Sequence, residues 1–257
     1  MGFMDPHDPY YEHPYNGVGY SRAAHVKPDP SEADRLRKLY DGEITYWDEH
    51  FGQLVKSLKS HGLYDDLTIV VTADHGEEFM EHGGFWHGTT LYDEQLHVPL
   101  FVKLPKGDRA GTTIKHWVES VDIMPTLLGL KQLATPPAVQ GVDLFRGKEQ
   151  TFAEESHEGN VLSSLRTRQS GSTVKLIRAN AGNPRGLAER ELYKLENDAA
   201  ELKNLAPTDQ PLLGNTEKEL EQAATQAQTG ALKAREVDLA MDKAAQERLK
   251  ALGYANE

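Results

Sequence analysis

The run Leu67-Thr-Ile-Val-Val-Thr72 breaks off at Asp74-His75-Gly76, and no other feature constrains the fold of this chain as strongly. Six apolar or β-branched residues bounded by turn formers read as a buried strand. In layered α/β folds, ligands collect in the crevice where strands end. Two more histidines, His82 and His87, follow within one Gly-rich loop. A carboxylate beside an imidazole suits a divalent cation, and the Asp74–His75 pair alone fits calcium, manganese or zinc.

The elements around this strand agree with an α/β layer. Ser31 with Asp34 three residues on predicts a capping box, and a helix should follow. Leu36, Tyr40, Trp47, Phe51, Leu54 and Leu58 give it one apolar stripe, and Gly62 supplies a left-handed stop. A second strand is expected over Val98–Leu104, where Pro99 is tolerable only near the start. A parallel sheet needs both faces covered, yet the chain supplies only a few of its strands, so strands 67–72 and 98–104 would have unpaired neighbours. A short helix is expected over residues 118–130, and Pro136, Pro137 and Gly141 mark a linker.

The character changes near residue 150. Val174–Arg178 and Glu191–Leu195 alternate like half-exposed antiparallel strands, joined by a loop containing Asn183-Pro184. Residues 216–252 are rich in Ala, Glu, Lys and Gln and read as one or two surface helices broken near Gly230. The expected organisation is an α/β part over 1–148, a small antiparallel subdomain over 149–206 and a helical tail over 207–257.

Composition removes several function classes. Acidic residues outnumber basic ones, 40 to 28, for a net charge of −12, which argues against nucleic acid as a partner. An acidic chain handling an anionic substrate must create its positive field locally, most simply with a bound metal. There is no cysteine, so no disulfide and no thiolate metal site. No apolar stretch approaches the roughly 18–20 residues of a membrane span. The first residues, Met-Gly-Phe-Met-Asp-Pro-His, lack the basic start and apolar middle of a signal peptide, so the chain carries no readable address.

Several motifs occur in a telling order: Asp5-Pro-His7-Asp-Pro-Tyr10, Thr72-Ala-Asp74-His75-Gly-Glu, Glu81-His-Gly, and His87-Gly-Thr-Thr-Leu-Tyr-Asp-Glu-Gln-Leu-His-Val-Pro-Leu. Val121-Asp-Ile-Met-Pro-Thr-Leu-Leu, Gln140-Gly-Val-Asp-Leu and Glu191-Leu-Tyr-Lys-Leu-Glu-Asn-Asp follow. Together they resemble the sulfatases of the alkaline phosphatase superfamily up to about residue 206, and Leu249-Lys-Ala-Leu-Gly-Tyr254 resembles their tail. The resemblance implies a partial alkaline-phosphatase/sulfatase-like layered sheet with a small antiparallel subdomain. It also implies metal-dependent hydrolysis of a sulfuric ester, with a sulfated small molecule or glycan as substrate. Relatives in this family are often periplasmic or secreted.

By the same resemblance, Asp74 and His75 are metal ligands, with calcium the implied ion. His7 and His87 face the sulfate ester, hold its oxygens and help protonate the leaving group. His82 is a further substrate-binding candidate, although it could equally only shape its loop. One departure is large. Sulfatases carry a Cys or Ser in a C/S-x-P-x-R motif that becomes formylglycine, and an upstream Asp pair for calcium, and this chain has neither. It reads as the C-terminal part of a sulfatase, inactive alone, whose unpaired sheet edges favour self-association.

Each assignment has a plainer reading. Asp74 could be a turn residue or helix cap, His87 a packed loop residue, and His7 a solvated one among prolines. His13, His25, His50, His61, His97, His116 and His157 have no supporting context and read as ordinary. Two rival functions stand beside the sulfatase reading: a phosphoester or phosphonate hydrolase or transferase of the same superfamily, and an inert module that binds an anion or a metal.

Overall fold

The computed structural model describes residues 6–230. The resemblance at Leu249–Tyr254 and the last expected helical stretch lie outside the described residues.

The N-terminal segment enters as a small ribbon, β1 (Tyr10–Tyr11) paired antiparallel with β2 (Gly19–Tyr20). Asp29, rather than Ser31, opens the helix that follows. Its carboxylate accepts the Ser31 N–H at 2.9 Å and starts a 3-10 turn at Pro30–Glu32, so the expected Ser31–Asp34 capping box does not form. Proline sits where its missing N–H costs nothing. Helix α1 (Ala33–Ser60) then runs 28 residues and stops at Gly62, whose φ of 68° is the left-handed stop expected from sequence. Its first turns bury Leu36 with Tyr10, Tyr20, Phe79 and Trp86, while Trp47, Phe51, Leu54 and Leu58 are only half-buried.

Strand β3 (Ile69–Thr72) leads into a small hairpin, β4 (Glu78–Phe79) and β5 (Phe85–Trp86). Helix α2 (Asp93–Leu96) and strand β6 (Leu100–Lys103) follow. β3 and β6 pair with each other, Ile69 opposite Lys103 and Thr72 opposite Leu100, and the pairing is antiparallel, not parallel. The reason lies in the connection. Residues 73–99 hold a hairpin and one helical turn, with no long crossover helix to return the chain in the same direction. Pro99 sits just before the ladder begins, so its missing N–H breaks no pair.

Helix α3 (Ile123–Leu130) is preceded by a 3-10 turn, Ser120–Asp122, closed by a capping box between Glu119 and Asp122. Asp122 is buried and reaches forward as well, accepting the Val142 N–H at 2.8 Å, while Thr126 Oγ1 accepts the Leu144 N–H at 2.8 Å. Two motifs far apart in sequence, Val121–Leu128 and Gln140–Leu144, thus form one packed corner.

From residue 150 the chain builds a four-stranded antiparallel sheet in the order β10-β9-β8-β7, namely β7 (Gln150–His157), β8 (Asn160–Gln169), β9 (Ser172–Ala179) and β10 (Arg190–Lys194). Only β9 and β10 were expected from sequence, and as half-exposed strands. Instead both faces of the sheet are covered. Helix α4 (Gln210–Gly230) lies across one, packing Leu213, Leu220 and Ala223 on Leu165, Val174, Leu176 and Leu192. Leu162, Ile177, Ala179 and Tyr193 on the other face meet Leu91 and Tyr92 just before α2. A thin stripe suffices for α4 because it needs to match only one sheet face.

Candidate active site

β3 delivers Asp74 and His75 to the surface, and the backbone behind them is pinned. The Gly76 N–H donates to the Gln95 carbonyl at 2.8 Å and the Glu77 N–H to the Glu94 carbonyl at 3.0 Å. Asp74 points outward with its side chain 86% exposed, and among the described residues its one hydrogen bond is from the N–H of His75 at 3.1 Å. The Nδ1 of His75 meets the Gly76 carbonyl at 2.8 Å. A carbonyl can only accept, so Nδ1 carries the hydrogen and Nε2 keeps its lone pair. That nitrogen lies 3.9 Å from the Asp74 carboxylate.

His87 arrives from β5. Trp86 adopts φ 73°, a conformation expensive for a bulky side chain, and is held there by burial beside Tyr10 and by its ring N–H bonding the Val26 carbonyl at 3.3 Å. The His87 ring then stands 4.0 Å from His75 and 6.0 Å from His7, centroid to centroid. His7 donates Nδ1–H to its neighbour's carbonyl, Asp8, at 2.6 Å. Three histidines separated by as much as 80 residues in sequence therefore share one surface with Asp74.

Behind this surface lies a buried carboxylate that sequence reading missed. Glu77 Oε1 meets His87 Nδ1 at 3.1 Å, and Glu77 Oε2 accepts a short hydrogen bond from the Tyr10 hydroxyl. Tyr10 is fully buried among Tyr40, Phe79 and Trp86, and burial together with the Glu77 charge pushes its hydroxyl far above the usual tyrosine range. Gln95, also buried, holds the far side of the loop, accepting the Gly88 N–H at 3.1 Å and donating to Thr90 Oγ1 at 2.6 Å. The signals were present as the Tyr of Asp-Pro-Tyr10 and the Glu after Asp74-His75-Gly, but nothing in either spacing says that they meet.

His82 is placed differently. Nδ1 engages Glu94 at 2.6 Å, Nε2 engages the Glu201 carbonyl at 3.2 Å, and the ring stacks on Tyr92 at 3.5 Å. Burial disfavours its charged form, but the Glu94 carboxylate and the Glu201 carbonyl outweigh that, so its pKa is raised. With both nitrogens taken, this ring shapes its loop. Glu78 is fully buried nearby and pairs with Arg185 at 2.8 Å; burial nonetheless raises its pKa.

Of the histidines without sequence context, His13 bonds Glu43 at 2.9 Å and His116 the Leu144 carbonyl at 2.9 Å. His157 departs from the expectation. It stands at the β7–β8 turn against Gly88, where an added Cβ would come within 2.9 Å of its ring. Its neighbour Glu158 reaches Arg22 at 3.3 Å, and the Arg22 N–H donates to the Asp8 carboxylate at 3.0 Å. The antiparallel sheet thus sends one turn to the rim beside His87 and the His7 loop.

The donor set has the chemistry of half a cation site. One open carboxylate and one imidazole lone pair converge, while among the described residues no group of three or more His, Asp or Glu side chains does. Glu77, Asp8, Asp74 and Glu158 surround three histidines and Arg22. A bound cation would be the strongest positive charge available to an anionic ester there.

The sulfatase family profile matches residues 1–133. Bovine arylsulfatase K is 27% identical over 213 residues, covering 79% of this chain and 38% of that protein. A structure of BT4656 in complex with its substrate D-glucosamine-2-N,6-O-disulfate superposes with a TM-score of 0.60 at 25% identity, covering 79% of this chain and 42% of that one. The phosphonate monoester hydrolase of Agrobacterium radiobacter superposes at 0.62 and 25% identity, covering 76% and 42%. The chain thus spans under half the length of each of these three relatives. Among the described residues no helix is long and apolar enough to cross a membrane.

Proposed function

The chain belongs to the sulfatase family, and from that premise we propose that it forms the metal-and-histidine wall of a sulfuric ester hydrolase site. The observation that carries the reading is the meeting of His7, His75 and His87 beside Asp74. Asp74 and His75 would hold a divalent cation, calcium by family, with the remaining ligands coming from outside the described residues. When bound, the ion supplies positive charge to the ester oxygens. His87 and His7 are the groups that hold those oxygens and pass a proton to the departing alcohol. Arg22 and His157 stand at the rim of this surface, beside Asp8 and Gly88. A sulfated sugar is the substrate class in view, by analogy with the glucosamine disulfate bound by BT4656. His82 is left out of the substrate contacts because both its nitrogens are engaged.

The formylglycine of the family has no counterpart, since the chain contains no cysteine and no Ser-x-Pro-x-Arg. These 257 residues bind and orient but supply no nucleophile of that kind. The test is calorimetric titration of the purified chain with calcium, with and without an aryl sulfate. Binding should be present in wild type and weakened at least about tenfold in Asp74→Ala, in line with the loss of one charged ligand. Equal affinity in the two proteins would sink the ligand assignment, and aryl sulfate turnover by the chain would sink the lack of a nucleophile. The phosphonate hydrolase likeness favours one second reading, a phosphoester or phosphonate substrate, to be compared in the same titration.

A further inference from the structure

We infer that Glu77, locked by Tyr10, is a positioning residue that fixes the tautomer and orientation of His87 and ties its loop to the one carrying His7. The catalytic consequence rests on the reading of His87 as an ester-facing group; the geometry does not. A carboxylate offers only acceptors, so at 3.1 Å from Glu77 the Nδ1 of His87 carries a hydrogen, and Nε2 is the nitrogen left to meet an ester oxygen and exchange a proton with the alcohol. Among the described residues Nε2 has no hydrogen-bonding protein partner, and the ring lies between His75 and His7. The second oxygen of Glu77 is taken by Tyr10, so the carboxylate cannot rotate away without breaking both bonds. Glu77 is almost wholly buried, as is Tyr10, which keeps competing water from either bond.

The same pair sets a distance. Tyr10 stands three residues after His7 and is wedged into the aromatic cluster of Tyr40, Phe79 and Trp86. Trp86 is the residue before His87. Through the Tyr10–Glu77–His87 chain, the two histidine-bearing loops are anchored to one point, with the His7 and His87 rings 6.0 Å apart. A carboxylate placed only to stabilise the fold would have no need to meet the ring at Nδ1, opposite the open face.

The experiment is long-range proton–nitrogen NMR on the full chain labelled with 15N in its histidine rings, at about pH 8.5, where an ordinary imidazole is neutral. His87 is assigned by its absence in His87→Gln. Wild type should show the Nδ1–H tautomer in excess by about tenfold or more, as a charge-assisted hydrogen bond implies. Folded Glu77→Ala should lose that excess. Tyr10→Phe, which keeps the aromatic packing, should reduce it part-way and serves if Glu77→Ala does not fold. An Nε2–H tautomer in wild type overturns the inference without any variant, and so does an unchanged ratio in folded Glu77→Ala. Adding inorganic sulfate separates this from the functional reading. Signals of His7 and His87 that ignore sulfate count against the ester site while leaving the tautomer result standing. A wrong tautomer that still responds to sulfate does the reverse.

Discussion

A Cβ on Gly76 would lie 2.0 Å from the Glu94 carbonyl oxygen and 3.3 Å from the Gln95 Cα. Both neighbours are backbone, held by the two hydrogen bonds that pin residues 76 and 77, so neither can swing aside. Gly76 is therefore required by close approach, not by a left-handed turn. Gly76→Ala should cost about 1–3 kcal/mol, the usual penalty of overpacking. A urea midpoint lowered with an unchanged slope would report this, and an unchanged midpoint would refute it. At this scale the sequence was informative where a residue type has few other uses. Asp74-His75-Gly76 after an apolar run could be placed at a strand end without a structure. Glu77, Tyr10 and Gln95 could not, because a buried carboxylate, phenol or amide carries no periodic signature and its partners are set only by the tertiary fold. His157 was invisible for the same reason, since it reaches Gly88 from a strand turn 69 residues away.

The shortest α-helix holds several of the side-chain bonds between the site and the rest of the fold. In α2, Asp93 pairs with Arg166 and with Lys175 at 2.8 Å, Glu94 with His82 at 2.6 Å, and Gln95 with the His87 loop; Tyr92, just ahead, donates to Glu191 at 2.5 Å. Lys175 is buried and also meets Glu201 at 2.6 Å. Asp93 is held below the usual carboxylate range: burial opposes this, but Lys175 and Arg166 prevail. One turn of helix thus fastens the antiparallel sheet to the site. The His82–Glu94 contact gives this junction a pH dependence. Because folding raises the His82 pKa, its contribution is complete below the ordinary histidine value of about 6.5 and is lost as pH rises through the folded value. The melting temperature of wild type should exceed that of His82→Asn most at pH 6, and the gap should shrink by pH 9. A gap that grows with pH would show that the raised value is wrong. None of this was legible beforehand: four residues are too few for a helical period, and β7 and β8 hid because polar residues such as Ser163, Ser164, Arg166 and Thr167 interrupt their alternation.

The whole molecule carries its stability unevenly. The sheet from β7 to β10 has apolar packing on both faces, whereas β3 and β6 form a two-stranded ribbon of the kind that is marginal alone. The antiparallel pairing satisfies one edge of each strand; among the described residues the outer edges have no strand partner. Phe101, in the middle of β6, is 67% exposed, and Leu67 just before β3 is also exposed. The half-buried stripe of α1 adds Trp47, Phe51 and Leu54 to the apolar surface. Exposed apolar surface beside an open strand edge is the condition under which chains add to one another. The net charge of −12 opposes this, but only over the Debye length of about 10 Å at 0.1 M salt. Association should therefore strengthen as salt rises. In light scattering after size exclusion, the mean mass should grow with both protein and salt concentration, and Phe101→Lys should reduce it toward 28.6 kDa by placing a charge on the edge strand. A wild type that stays monomeric across both series, and melts in one sharp transition, would mean that the ribbon and α1 are stable as they stand.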